Sequence, residues 1–527
     1  MSIIRDGHMK ANKNRTRVIT GATTAILGMA LIGLVSCSSG ESTSSTVAPG
    51  GSAGLSGPIV FVNNTGDKTL TSVALKGDSG NAVLGTIASA EFENVALGDM
   101  QFSEGEWVFV NIQGEISPGV RIDKVATIDP LTGAIPVHEV NLSTGTRPVH
   151  MYRDPTDGEV IWVGNDGDNA AGTTTPGDDL INCNNPARVG GPVTGSSVTI
   201  LHNSHLGPGG TPPTVEKSEC ILADGHKVMA FPRPTATNGA IPRRVFVSSE
   251  TSGEIAVIDN EPGSPTKWKL IGRVDLCNPL KETIPATCDD ESATSLTTPF
   301  TANNSHPHGI RWSKLTGKVY SIQEGYGQIA EIDPITLAST IIIDLAGTPY
   351  TSYGITPDGR FLLLRGQTAI PQATKLGVLD LSVTPAVRTD YTIPALDGTS
   401  PGAFKFSPDG NRFYILAGNT APSTKKDRLF AFDSSTLTAA TPALTLLREI
   451  TLVATGAHSF DVLAQGAGEA KFIAVSNSTD NSLSIINATD NLIKQTVTNV
   501  GSAGGSVLGG VMIYAPGTAA AGNQASS

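Results

Sequence analysis

One pattern recurs along most of this chain and constrains its fold more than any other feature. An apolar strand runs into a turn, often Pro-Asp-Gly, and a second strand then ends in a small or polar residue. A third strand ends in Asp, and an amphipathic fourth leads into the next copy. The clearest copy places strands at 403–406, 412–416 and 429–433 around Ser407-Pro408-Asp409-Gly410; another places them at 353–355, 361–364 and 377–380 around Thr356-Pro357-Asp358-Gly359. Pro presets φ, Asp bonds its own backbone and Gly accepts a positive φ, so this tripeptide suits a tight turn. Second strands can be followed at 59–62, 107–110, 161–163, 245–247, 319–322, 361–364, 413–416 and 472–475. The third strand ends each time at Lys76, Asp129, His202, Asp259, Asp333, Asp380, Asp433 and Asn487, which makes eight pairs.

Four short antiparallel strands cannot bury both of their faces alone, so copies of this unit must stack radially. The expected fold is all-β: a single β-propeller of four-stranded antiparallel blades, eight in number, or seven if region 78–105 supplies no strands of its own. The two ends of the repeat support closure. The first copy, from Pro58, lacks a first strand, whereas the last is followed by an orphan strand at 510–514. The C-terminal strand is therefore expected to complete the first blade. Composition agrees, with 58 Gly and only 16% charged residues, as many short strands and turns require.

The inner-strand, Pro-Asp-Gly and Val-Ile-Asp elements resemble the YVTN-type repeats and the propeller domain of cytochrome cd1 nitrite reductase, over about residues 58–516. The resemblance implies the propeller fold. It does not imply reductase activity, because the haem-c domain of that enzyme has no counterpart here. No Cys-x-x-Cys-His occurs, so covalent c-type haem is not encoded.

The N-terminus reads as an address. Lys10, Lys13, Arg15 and Arg17 precede an uncharged, largely apolar run from 18 to 35, followed by Cys37. Leu34-Val35-Ser36-Cys37 resembles the lipobox of bacterial lipoproteins, which implies lipidation of Cys37; an uncleaved membrane anchor is the alternative. The expected organisation is a signal peptide at 1–36, a lipidated Ser/Gly-rich tether at 37–57, the propeller at 58–516 and a flexible tail at 517–527. Ser38 and Ser39 after the cysteine favour, by resemblance to proteobacterial lipoproteins, the outer membrane if the cell has one. Removing 1–36 takes away five basic residues and one acidic residue, moving the formal charge from −12 to −16. With that charge and no basic stripe, nucleic acid is not an expected partner. The expected contacts are the membrane through the lipid anchor only, and an envelope protein or a small ligand, with the propeller itself monomeric.

Four further cysteines, Cys183, Cys220, Cys277 and Cys288, read as two disulfides in an exported chain. Cys183–Cys220 and Cys277–Cys288 are favoured because each closes a local excursion. A zinc site built from all four is the alternative, although no Cys-x-x-Cys pair is present.

Residues that open the inner strands should ring the channel mouth. His150, His226, His308 and His458 fall there, with Tyr353 equivalent in blade six and Asp99, Gly402 and Gly509 in the others; His306 lies two residues before His308. Converging imidazoles suit copper, zinc or iron. Against this, histidines at such openings also serve simply to bond backbone or to line a solvated channel. A second candidate is the loop holding Asp166, Asp168, Asn169, Asp178 and Asp179, whose hard oxygens suit calcium, or which is merely a solvated insertion. Glu250, Glu324 and Arg365 lie just past second-strand ends on the same face and could join a polar site, or be solvated turns. No HExxH, P-loop or dinucleotide fingerprint is present, and no catalytic residue is assigned. The leading functional expectation is a cell-envelope binding module with the histidine face as its ligand site. The rivals are a metal-dependent periplasmic oxidoreductase using the histidine ring, and a lactonase-like hydrolase.

Overall fold

The computed structural model describes residues 57–515, except 89–94, 104–106, 118–119, 129, 131–136, 143–145, 168–182, 184–195, 203–212, 222–224, 289–295, 297–300, 349, 367–373, 420–425, 440–441, 454, 467 and 502–507. Eight four-stranded antiparallel sheets follow one another along the chain and make an eight-bladed propeller. Region 78–105 supplies the outer strand of blade one, Ala82–Ala88, and the inner strand of blade two, Val95–Phe102, which settles the count at eight. The remaining inner strands, in blades three to eight, are Pro148–Arg153, Met229–Ala230, Pro307–Trp312, Tyr350–Ile355, Thr399–Phe406 and Ala457–Gln465.

Burial follows position within the blade. Second and third strands are sandwiched between neighbouring blades, so nearly every residue is buried, as in Val160–Asn165 and Glu254–Asp259. Both faces of these strands are covered, which explains continuous apolar runs where a half-exposed strand would alternate. Outer strands such as Ser339–Asp344 and Val387–Thr392 face solvent and are mostly exposed. The apolar clusters lie between blades; one joins Trp162 of blade three to Phe246 of blade four and Ile310 of blade five. Gly359 and Gly410 of the Pro-Asp-Gly turns have φ of 80° and 75°, the left-handed region that glycine enters without steric cost.

The ring is closed by its own two ends. Leu508–Tyr514 pairs antiparallel with Ile59–Asn64, in the register Ile59 with Tyr514 and Val62 with Val511, and so becomes the inner strand of blade one. Blade four departs from the repeat. Its inner strand is only two residues long, because Pro232 and Pro234 follow at once and cannot donate to a ladder.

Cys183 is bonded to Cys220 and Cys277 to Cys288, the pairing favoured on sequence grounds, so the four-cysteine zinc alternative falls. Two disulfides fit an exported protein. No helix among the described residues is long and apolar enough to cross a membrane.

Blade four also holds a fully buried ion pair, Arg273 with Glu254. A buried pair is costly to break because the surviving charge is left uncompensated. Glu254→Gln is therefore expected to lower unfolding stability by about 3–5 kcal/mol, read by denaturant titration. An apolar double replacement, Glu254→Met with Arg273→Leu, should cost far less; equal losses in both variants would contradict this account of the pair.

Candidate functional site

His150 is the third residue of the inner strand of blade three, and His226 stands three residues ahead of the short inner strand of blade four. His308 is the second residue of the inner strand of blade five. These three positions come from adjacent blades, and the structure brings their rings together. The Nε2 atoms of His150 and His226 are 3.0 Å apart, and the two ring centroids 4.6 Å apart. The His308 ring stacks on that of His226, with centroids 5.5 Å apart and planes 23° from parallel.

Each of the first two imidazoles is backed by a carboxylate from the preceding blade. Asp166, just past the end of the second strand of blade three, takes the His226 Nδ1 at 2.8 Å on one oxygen and accepts the Lys227 backbone N–H at 3.0 Å on the other. Asp99, on the inner strand of blade two, lies 3.5 Å from the His150 Nδ1 and accepts the Met151 N–H at 3.2 Å on the same oxygen. Asp166 thus clamps a histidine and the backbone amide that follows it, whereas Asp99 holds the amide and faces the His150 Nδ1 without a hydrogen bond. The same device recurs at the seam, where Asp461 of blade eight accepts the Ile513 N–H of blade one at 2.8 Å and pairs with Lys405 at 2.9 Å.

The charge around His308 is mixed. Burial pushes its imidazole below the ordinary histidine range, as do His226, Arg365 and His150, while Glu250 opposes them. Burial raises the Glu324 carboxyl, and Glu250 adds to the rise, whereas His306 and Arg365 lower it. Arg365 is almost wholly buried and donates to the Pro401 carbonyl at 3.1 Å. Burial lowers its pKa to about 10, which leaves it cationic at neutral pH. Glu250 and Arg365 thus lie near enough to both His308 and Glu324 for their charges to act on them.

Beside His150 the channel holds a cavity of about 80 Å³ that opens to solvent. Its polar lining comes from Asp99, Gln101, His150, Lys405, Ser459 and Asp461.

Other sequence candidates fall elsewhere. Tyr353 does not line the mouth; it is buried between blades, and its hydroxyl donates to the Tyr320 carbonyl at 2.5 Å. His458 is the second residue of the inner strand of blade eight, but its side chain lies outside the described residues. Asp168, Asn169, Asp178 and Asp179 also lie outside them. Asp166, the one described member of that loop set, is engaged with His226. Among the described residues no three His, Cys, Asp or Glu side chains already converge as a metal-ligand set. The facing of the two carboxylates toward histidines of the next blade was missed on sequence grounds. Its only signal is an acidic residue in one blade placed to meet the histidine opening the next.

Fold and site together define an eight-bladed β-propeller with a histidine- and carboxylate-lined channel mouth. No protein-family model matches the chain, and no curated protein matches it. Solved structures are similar in fold. The dihydro-heme d1 dehydrogenase NirN, in complex with DHE, is 15% identical with a TM-score of 0.51, over 86% of this chain and 74% of that one. Apo AztD from Citrobacter koseri is 11% identical with a TM-score of 0.47, over 88% and 99%. The periplasmic gluconolactonase PpgL of Pseudomonas aeruginosa is 13% identical with a TM-score of 0.46, over 80% and 98%. At these identities the likeness shows the fold alone, and propellers host many unrelated activities.

Proposed function

We propose that this protein is an exported, lipid-anchored binding propeller of the cell envelope whose ligand site is the histidine mouth of its channel. The anchor is Cys37 in its lipobox-like setting, which would hold the propeller at the membrane surface, the outer membrane in a Gram-negative cell. The observation that carries the reading is the gathering of His150, His226 and His308 from three consecutive blades, His226 hydrogen-bonded to a carboxylate of the blade before and His150 facing one. Polar groups fixed by the scaffold beside a solvent-connected cavity are what a binding site needs.

Native mass spectrometry of the full chain, extracted from the envelope in mild detergent, tests the reading. A retained non-covalent mass is expected in the wild type and should be lost in His226→Ala. A retained mass that is indifferent to His226→Ala, or none in either protein, would overturn it.

A further inference from the structure

We infer that the ligand of this mouth is a divalent transition-metal ion of the kind that prefers imidazole nitrogen, zinc being the probe, held between the Nε2 atoms of His150 and His226. The inference rests on the mouth being the ligand site and adds what the ligand is.

The argument is one of protons and lone pairs. A neutral imidazole carries one N–H and one lone pair. Asp166 sits 2.8 Å from the His226 Nδ1, so a proton is favoured there and the His226 Nε2 presents its lone pair. Asp99, 3.5 Å from the His150 Nδ1, favours the same tautomer in His150. Both lone pairs then face each other across 3.0 Å. Neutral rings can escape this only if His150 moves its proton to Nε2, which turns a bare Nδ1 lone pair toward the Asp99 carboxylate. That Nδ1 is buried and has no hydrogen-bond partner among the described residues. A cation between the two Nε2 atoms removes the conflict, because each lone pair then meets positive charge and each Nδ1–H meets its carboxylate. Histidine ligands commonly donate their second N–H to a carboxylate in this way.

The geometry admits a metal ion. With bonds of about 2.0–2.1 Å, two nitrogens 3.0 Å apart are seen from the ion at about 95°, and opening them by roughly 0.3 Å gives the tetrahedral angle. His308 is the third protein ligand within reach. Its ring lies against His226, and its Nδ1 is buried without a hydrogen-bond partner among the described residues. Solvent from the adjoining channel completes the shell. Imidazole donors select zinc and its first-row neighbours over calcium and magnesium, which take oxygen.

The full chain in detergent, stripped with a chelator, is titrated with zinc chloride by calorimetry and with cobalt chloride by visible absorption. One ion per chain is expected, at micromolar affinity or tighter, with cobalt d–d bands that excess zinc removes and calcium chloride does not. His150→Ala should abolish stoichiometric binding, and His308→Ala should alter the cobalt spectrum. Asp166→Asn should weaken zinc by roughly 10- to 100-fold, the usual effect of losing an outer carboxylate. Absence of stoichiometric binding, or binding unchanged by His150→Ala, overturns the inference. If native mass spectrometry then shows an organic ligand that depends on His226, the mouth remains the ligand site and only the metal assignment falls.

Discussion

Deleting residues 508–527 is expected to leave a chain that does not fold at all, whereas deleting 517–527 leaves its unfolding transition unchanged. The larger deletion removes the inner strand of blade one and with it every ladder bond between the two ends of the ring. Val511, Met512, Ile513 and Tyr514 are all buried, at 6%, 3%, 5% and 1% exposure. At about 1.5–3 kcal/mol each, their burial contributes roughly 6–12 kcal/mol, comparable to the whole stability of a typical protein. The deletion also strips the Ile513 amide from Asp461 and leaves that carboxylate under-bonded in the wall of the channel. Circular dichroism and size-exclusion chromatography of the two truncations check this. A monomeric, cooperatively unfolding product of the larger deletion would show that the ring does not depend on this seam.

Changing His150 and His226 together to alanine is expected to do the opposite: abolish retention of the ligand while leaving the stability of the ligand-free protein within about 1 kcal/mol of the wild type. Neither imidazole belongs to an apolar cluster, and both are partly exposed, with 18% and 22% of the side chain accessible. Each carboxylate keeps its backbone bond, Asp99 to Met151 and Asp166 to Lys227, so the blade-to-blade clamp survives the substitution. What is lost is a pair of facing nitrogens that contribute little to folding, the pattern expected of residues kept for binding. Denaturant unfolding of the stripped proteins checks the stability arm and native mass spectrometry the binding arm. A loss above about 3 kcal/mol in the stripped double variant would make the pair a structural feature.

The architecture was legible wherever the chain is buried on both faces. The second and third strands read as unbroken apolar runs because they are sandwiched between blades, and all eight third strands end at or within two residues of the positions read from the repeat, for instance His202, Asp259, Asp433 and Asn487. Blade four's inner strand is only two residues long, since a proline-rich stretch denies it ladder donors. The histidines were legible from their phase in the repeat. Tyr353 shared that phase but went into the blade interface, because a phenol can bury its ring and still reach a carbonyl. Asp99 was placed at the mouth by its phase, but the facing of each carboxylate toward a histidine of the next blade was not legible. Asp166 lies 60 residues from His226 and reads locally as one of several acids in a polar loop. Only the stacking of blade three on blade four brings it to that imidazole.

The most direct measurement is an anomalous-difference map from crystals of the full chain grown with zinc, with data collected on both sides of the zinc absorption edge. The account predicts one strong peak at the channel mouth, about 2.1 Å from the Nε2 of both His150 and His226. A map without a peak there, or with zinc bound only elsewhere while the two nitrogens stay in contact, would contradict it.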